Sequence, residues 1–339
     1  MRVWFNKTFS SVHAALRNIR DADTEGRYEL VASSPNPHAL VQLPAHQFFL
    51  EPAKVSGADY LDWCEKFCVE QGIDIFIPGK EAALLSKAHE RFANVGTRIM
   101  SCASSENLDI IHNKGRFYDL VSCEAAPAPA CVSCATPDEF DSAYAQLQER
   151  HTELCIKPSV SVYGIGFRRI REDRSAFALF SGGHDYQIDL ISLRAMLATQ
   201  ASFPTLLVME YLGGHEFSVD CIADQGIIKC AVARRKPLSV GGGQIIDTRE
   251  SIQEACRDVV SQFGLNGYAN IQFRENESGL RILEVNPRMS GGIAMACLAG
   301  PNLPYLGLAG FDRGYDTLKV PPVIDGLRVA EYNQAAVLP

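Results

Sequence analysis

Arg281-Ile-Leu-Glu-Val-Asn-Pro-Arg-Met-Ser-Gly-Gly292, preceded by Tyr268-Ala-Asn-Ile-Gln-Phe273, is the stretch that decides how this 339-residue chain is read. Residues 281–285 are rich in apolar and β-branched types and run into Pro287. That reads as a strand stopping at the proline, whose ring constrains the residue before it. Side chains alternate faces along a strand, so Glu284 and Asn286 project together while Leu283 and Val285 point into the core. Glu275-Asn-Glu-Ser-Gly279 has the composition of a turn, so the two segments are expected to pair antiparallel. A hairpin symmetric about that turn sets Gln272 opposite or diagonal to Glu284, on the same face. Gln, Glu and Asn then offer oxygen donors to one point. That suits a hard cation such as Mg²⁺, which takes its remaining ligands from substrate phosphates. Arg288 follows, and a guanidinium beside a metal-bound phosphate is what phosphoryl transfer uses. An ordinary hairpin with a polar outer face would show the same residues, so the rest of the chain has to decide.

Upstream of the hairpin lie further candidates for a polyphosphate site. Glu153-Leu-Cys-Ile-Lys-Pro158 reads as a strand, followed by the loop Ser159-Val-Ser-Val-Tyr-Gly-Ile-Gly166. Backbone N–H groups around Gly164 and Gly166 can cradle phosphates, with Lys157 adding a point charge, although a simple β-turn also needs glycine. The Walker pattern GxxxxGK[ST] is absent. Leu206 to Leu212 is a nearly continuous apolar strand interrupted by Glu210, and a carboxylate in such a run needs a partner. In Gly213 to Asp220, alternation puts Glu216, Ser218 and Asp220 on one face; Ser218 is expected to be solvated. Gly226 to Ala233 is a further strand, and Arg234-Arg-Lys236 then flows into Pro237-Leu-Ser-Val-Gly-Gly-Gly243. Arg235 and Lys236 are the candidates there for an anionic substrate group, with a mobile surface loop as the competing account. Lys114, after Asn113, opens an apolar helix through Val121. Pro127 and Pro129 mark a boundary, and Pro137 to Arg150 is a helix striped by Phe140, Ala143, Tyr144 and Leu147.

The first third alternates strands and helices: strands at Arg2–Phe5, Tyr28–Ala32, Ile73–Ile77 and Thr97–Met100, with helices through Val12, Leu16 and Ile19 and over Ala58–Gly72. This predicts an α/β open, mostly parallel sheet with helices on both faces, ahead of an α+β part built on antiparallel sheets. Ligands bind at the carboxyl ends of such strands, so the loops Asn6–Ser11 and Gly79–Glu81 are the candidate edges. No GxGxxG is present. Beyond Gly292, helices are expected at Ala294–Leu298 and Leu303–Leu308, and strands at Leu318–Val320 and Leu327–Glu331.

Gln272, Glu284-Val-Asn286 and Arg288, followed by Ser290-Gly-Gly292, resemble the metal and phosphate motif of the ATP-grasp superfamily, especially its carbamoyl-phosphate synthetase-like and amino-acid ligase branches. The chain also broadly resembles the stand-alone ATP-grasp proteins encoded with tellurite-resistance biosynthetic clusters. The resemblance implies a pre-ATP-grasp βα domain over residues 1–112 and a two-lobed ATP-grasp domain with antiparallel sheets over 113–339, residues 150–212 forming the small ATP-covering lobe. It implies that ATP is held by Lys114, Lys157, Gly164, Gly166, Glu210 at the adenine amino group, Leu212 at the ring and Glu216 at the ribose. Two Mg²⁺ ions, with Mn²⁺ as a substitute, would sit on Gln272, Glu284 and Asn286. Arg288, Glu284 and Asn286 become the catalytic set, and Glu81, Arg235, Lys236, Gly291 and Gly292 the substrate contacts, Glu81 toward an amine.

The activity so implied is an ATP-dependent carboxylate-amine ligation through an acyl phosphate, releasing ADP and phosphate, with a small-molecule acid and amine as partners. A second grasp unit, a glutaminase and a carrier motif are not seen. Two alternatives stay open: a carboxylase or carbamoyl-phosphate-type enzyme using bicarbonate, and an ATP-binding regulatory module without chemistry. Dimers are common in the family, and a homodimer is the assembly it suggests. With a net charge of −8 and no long Lys/Arg block, the chain is not expected to bind nucleic acid or anionic membranes. Met1 to Arg20 mixes charged residues into its apolar ones and reads as neither signal peptide nor membrane span, so a cytoplasmic location is expected. The eleven cysteines are scattered through apolar segments, as buried thiols in a reducing compartment would be; Cys131-Val-Ser-Cys134 is a lone C-x-x-C.

Overall fold

A computed structural model describes residues 1–6, 10–161, 164–182, 186–238, 242–332 and 334–338. Three sheets follow one another along the chain. The first is wholly parallel, with β1 (Arg2–Phe5), β2 (Glu29–Ser34), β3 (Gln47–Leu50), β4 (Ile75–Ile77) and β5 (Arg98–Ile99) in the order β3-β2-β1-β4-β5. Continuous apolar runs such as Val3-Trp-Phe5 suit strands buried on both faces. Trp4 stacks on Phe76 at 4.0 Å and packs with Tyr60, Cys64 and Phe67 of the helix Gly57–Gln71. Val3 and Phe5 pack on the opposite side with Leu16 and Ile19 of the helix Ser10–Ala22. β3 was not foreseen, because as a short edge strand with exposed ends it lacks a buried periodicity.

The second sheet contains β6 (Cys131–Cys134), β7 (Leu154–Pro158), β8 (Arg168–Arg171), β9 (Gln187–Asp189) and β10 (Leu206–Glu210), ordered β6-β10-β7-β8-β9. Only β8 and β9 pair in parallel. The predicted stripe Phe140, Ala143, Tyr144 and Leu147 is buried against it, on the helix Pro137–Gln148 that Thr136 caps.

The third sheet is antiparallel throughout. Its strands are β11 (Glu216–Asp224), β12 (Ile227–Arg235), β13 (Gln244–Ile246), β14 (Gly267–Asn276), β15 (Gly279–Asn286) and β16 (Arg328–Val329), ordered β15-β14-β11-β12-β13-β16. One face buries Phe217, Val219 and Ile271 against the helix Glu250–Gln262. The other buries Ile222, Val232 and Tyr268 in the same core as Leu16 and Ile19, so the first and third sheets are joined through one hydrophobic cluster. The mixed architecture expected from the sequence is therefore present. The strand expected at Leu318–Val320 does not form; a short 3-10 turn at Tyr315–Thr317 precedes irregular chain there, and Leu327–Glu331 narrows to β16. All eleven cysteines are free thiols. Among the described residues, no helix is long and apolar enough to cross a membrane.

Candidate ATP and metal site

The decisive hairpin forms with Gln272 directly paired to Glu284 and Asn270 to Asn286, on strands longer than expected and joined by Glu277-Ser278. One feature departs from simple alternation. Gln272 pairs with Glu284 but Phe273 pairs with Ile282, so Leu283 is the extra residue of a β-bulge. The bulge sends Ile282 and Val285 into the core and turns Leu283, expected inside, onto a cavity wall. Glu284 Oε1 accepts from Asn286 Nδ2 at 3.1 Å, and Asn286 Oδ1 accepts from Arg288 Nη2 at 3.3 Å. Gln272 Nε2 donates to Asn270 Oδ1 at 3.2 Å, which leaves its Oε1 for another partner. Burial alone would raise the Glu284 carboxyl, but Lys114, the Asn286 amide and Lys157 outweigh it and hold the group below its ordinary value. Glu284 is thus an anion at neutral pH.

A cavity of about 840 Å³ opens in front of this hairpin, walled by the second sheet on one side and the third on the other. Lys114 stands at the first turn of the helix Lys114–Leu120, which Asn113 caps. Its Nζ donates to Ser161 O at 2.8 Å and lies 3.3 Å from Glu284 Oε2. Across from it, Lys157 Nζ donates to Tyr118 Oη at 2.8 Å, and that hydroxyl donates to Leu283 O at 2.6 Å. Burial lowers the pKa of both lysines. A buried ammonium with little countercharge gains when a polyphosphate arrives, because the ligand supplies the missing anion. Gly164 is on the cavity wall and Gly166 is not. Gly166 is needed for another reason: φ is +82° and a Cβ would lie 2.7 Å from the Pro158 ring. Val162 and Tyr163 of this loop lie outside the described residues.

Glu210 finds the partner its burial demands: its carboxylate accepts from Ala130 N at 2.9 Å and Asn276 Nδ2 at 2.8 Å. That carboxylate is therefore engaged before any ligand arrives. Leu212 and Glu216 also line the cavity, with Glu216 ion-paired to Lys236 Nζ. Of the two basic candidates at the end of β12, only Lys236 is on the wall. Arg235 faces away and sits 3.9 Å from Asp247. Arg234 takes its place, because alternation puts residues 234 and 236 on one face. Arg234 is 2% exposed; Nη2 lies 3.1 Å from Asp220 Oδ2 and donates to Ser290 Oγ at 2.7 Å, and Nη1 donates to Gln244 at 2.5 Å. Ser218, expected to be solvated, is buried in this cluster and accepts from Arg234 and Asn270. Ser239 to Gly241 lie outside the described residues.

The cluster fixes the Ser290-Gly-Gly292 turn. Asp220 accepts from Ser290 N at 2.9 Å and from Ser290 Oγ at 2.7 Å. A Cβ on Gly292 would fall 2.7 Å from Arg234 Cζ and 2.9 Å from Met295 Cε, whereas one on Gly291 would meet nothing within 4 Å. Gly292→Ala is expected to cost about 1–3 kcal/mol by overpacking, and Gly291→Ala to stay within about 0.5 kcal/mol. Urea denaturation of the two variants side by side checks this, and equal losses would contradict it.

A smaller cavity of about 40 Å³ lies at the carboxyl ends of β1 and β4, walled by Asn6, Gly79, Ser101 and Arg288 among others. Asn6 Oδ1 accepts from Gly79 N at 2.6 Å, so the two loops named as candidate edges do meet. Residues 7–9 of the first loop lie outside the described residues. Arg288 lines both cavities and links that edge to the hairpin. Glu81 stands at the N-cap position of the helix Ala82–Lys87 with φ +54°, makes no side-chain capping hydrogen bond, and lines neither cavity.

Among the described residues, no three His, Cys, Asp or Glu side chains converge as a metal site. A cation at the hairpin would rest on one carboxylate, two amide oxygens and the ligand's own oxygens. That donor set fits Mg²⁺ brought in by a polyphosphate, and does not fit a soft or tightly held resident metal.

The sheet order, the hairpin and the two-sided cavity define a nucleotide-clamping fold, and the comparisons with known proteins agree on which one. The family model, the curated relatives and the solved structures all support the ATP-grasp superfamily for this chain. Residues 202–335 match the family described as "ATP-grasp in the biosynthetic pathway with Ter operon". The carbamoyl phosphate synthase large chain of Myxococcus xanthus is 24% identical over 311 residues, covering 84% of this chain and 26% of that one. The chain thus spans about a quarter of the length of the curated relatives it matches. Among solved structures, the L-amino acid ligase of Bacillus licheniformis superposes with a TM-score of 0.62 at 14% identity, over 91% of this chain and 73% of that one. N5-carboxyaminoimidazole synthetase from Staphylococcus aureus superposes at 0.66 with 12% identity, over 94% and 78%.

Proposed function

We propose that this protein is an ATP-dependent ligase that joins a carboxylate to an amine through an acyl phosphate. The observation that carries the reading is the pairing of Gln272 with Glu284 in a cavity that also contains two buried lysines, Lys114 and Lys157, with Asn286 hydrogen-bonded to Glu284 from outside the cavity lining. A protein that merely stores ATP has no need to line oxygen donors up against its terminal phosphates. In this reading residues 1–112 present the substrate edge, 113–339 form the clamp, and 150–212 cover the nucleotide. The chain from Glu210 to Leu212 lies along the adenine, and Glu216 takes the ribose. Lys114 and Lys157 take phosphate oxygens. Mg²⁺ on Gln272, Glu284 and Asn286 would supply charge neutralisation at the phosphates. Arg288, placed between the two cavities, holds the transferring phosphoryl group beside the substrate carboxylate. The Gly291 and Gly292 amides face the charge that develops there.

The overall balance is that the acid's oxygen takes the terminal phosphoryl group and ADP leaves. The amine nitrogen then forms the C–N bond as the C–O bond to phosphate breaks, releasing phosphate and a proton. The test is ADP and phosphate release with ATP and Mg²⁺ across pooled amino acids and small carboxylic acids, with bicarbonate as a separate arm. Release that requires both an acid and an amine is the expected result. Release with bicarbonate and no amine would replace the ligase by a carboxylase or carbamoyl-phosphate-type reaction. ATP binding without release in any arm would favour a regulatory module.

A further inference from the structure

We infer that Glu331, a residue outside the hairpin and the lysine pair, receives the ammonium group of the amine substrate. The inference rests on the ligase reading above and adds a specificity-determining residue to it.

Four carboxylates line the large cavity: Glu210, Glu216, Glu284 and Glu331. Three are already committed. Glu210 accepts from Ala130 N and Asn276, Glu216 is paired with Lys236, and Glu284 lies between Lys114 and Asn286. Glu331 makes no hydrogen bond or ion pair with any described residue, and its side chain is solvated. The basic wall residues, including Lys114, Lys157 and Arg288, suit the anionic ligands, ATP and the acid. What remains for the positive end of a second substrate is the one uncommitted carboxylate among the described wall residues. Primary amines are ammonium ions at neutral pH, so they arrive carrying the charge that Glu331 complements.

Its position is set by strand pairing. Gln244 of β13 pairs with Val329 of β16, and Glu331 follows two residues later. The approach is close: a Cβ on Gly243 would lie 2.8 Å from Val329 O, so the glycine there admits the incoming strand. Gln244 also accepts from Arg234, which holds the Ser290-Gly-Gly292 turn. Glu331 therefore stands at the acyl-transfer end of the cavity and not at the end walled by Glu210 and Leu212. This also relocates the amine contact that the sequence suggested for Glu81, which is not on the wall.

The experiment separates an amine that arrives as an ammonium ion, and must give up a proton to solvent before its nitrogen attacks, from a nucleophile that is already neutral. Hydroxylamine is uncharged at neutral pH and traps an acyl phosphate as a hydroxamate, so it needs no anionic anchor. The full chain, ATP and Mg²⁺ are supplied with the carboxylic acids that stimulate ADP release, and with either hydroxylamine or the pooled amino acids and a primary alkylamine. Glu331→Gln is expected to leave hydroxamate formation within about twofold and to raise the KM for the cationic amine about tenfold or more, the worth of one charge-assisted contact. Glu331→Lys is expected to raise that KM further and still form hydroxamate. An unchanged amine KM in Glu331→Gln overturns the assignment, and so does an equal loss with both nucleophiles, which would place Glu331 in acid activation. If the parent protein forms no hydroxamate with any acid, the ligase reading itself fails and this assignment falls with it; failure only in the variants leaves that reading standing.

Discussion

Glu284→Gln is expected to lower ADP release by on the order of 10²–10³-fold while the protein stays folded. The substitution keeps size and one carbonyl oxygen at the position paired with Gln272, so the hairpin register has no reason to slip. What it removes is the negative charge of the donor set. Burial works against that charge, and Lys114, the Asn286 amide and Lys157 together overcome it. Because the carboxyl's pKa is depressed in the folded state, its contribution to stability is complete above the ordinary carboxylate range and is lost only as pH falls through the lowered value. At neutral pH the variant therefore forfeits both the charge that would bind Mg²⁺ and the anion 3.3 Å from Lys114. Lys114 then depends on ATP for a countercharge, so nucleotide should still bind and should still raise the melting temperature. The measurement is ADP release at saturating ATP and Mg²⁺ beside a thermal shift with nucleotide. A variant that keeps more than about half of the parent rate would remove Glu284 from the chemistry.

How much of this was legible beforehand follows from where period-two alternation holds. The pairing of Gln272 with Glu284 could be read because the turn Glu277-Ser278 is short and both strands are regular on that side. Leu283 was misplaced because nothing in Arg281-Ile-Leu-Glu284 announces a bulge; the extra residue is a property of the pair of strands. Arg235 was chosen over Arg234 although Lys236 shares its face with Arg234, and that alternation was available in the sequence. Ser218 was assigned to solvent because a serine carries no sign of what packs over it. The helix Ile293–Cys297, in the core shared with the first sheet, follows directly from the Ser290-Gly-Gly292 turn that covers the Ser218 cluster. β8 was missed because Arg168-Arg-Ile-Arg171 has one apolar residue, and the charges of Arg169 and Arg171 are met by Glu153 and Asp173. Glu331 could not be found at all: a two-strand contact between residues 244–245 and 328–329 is invisible until the sheet is assembled.

Asp220→Ala is the second large effect, and it falls on stability. Asp220 and Arg234 are each 2% exposed and 3.1 Å apart, on neighbouring strands β11 and β12. Removing the aspartate leaves a guanidinium buried without its anion, and Arg234 Nε already lacks a partner among the described residues. It also strands Ser290 N and Oγ, which both donate to Asp220. Breaking a buried ion pair from one side costs about 3–5 kcal/mol. Asp220→Ala should therefore shift the urea midpoint sharply downward. Asp220→Asn, which keeps hydrogen-bonding oxygen but not charge, should fall between it and the parent. The double replacement Asp220→Leu with Arg234→Met discriminates further, because it removes both charges and their desolvation together and should recover much of the loss. Its ADP release should nonetheless stay low, since the Ser290-Gly-Gly292 turn would have lost the network that aims it. Full activity in a stable double variant would mean that the buried pair serves the fold alone. A loss below about 1 kcal/mol in Asp220→Ala would mean that water reaches Arg234 and the pair is not the keystone its burial indicates.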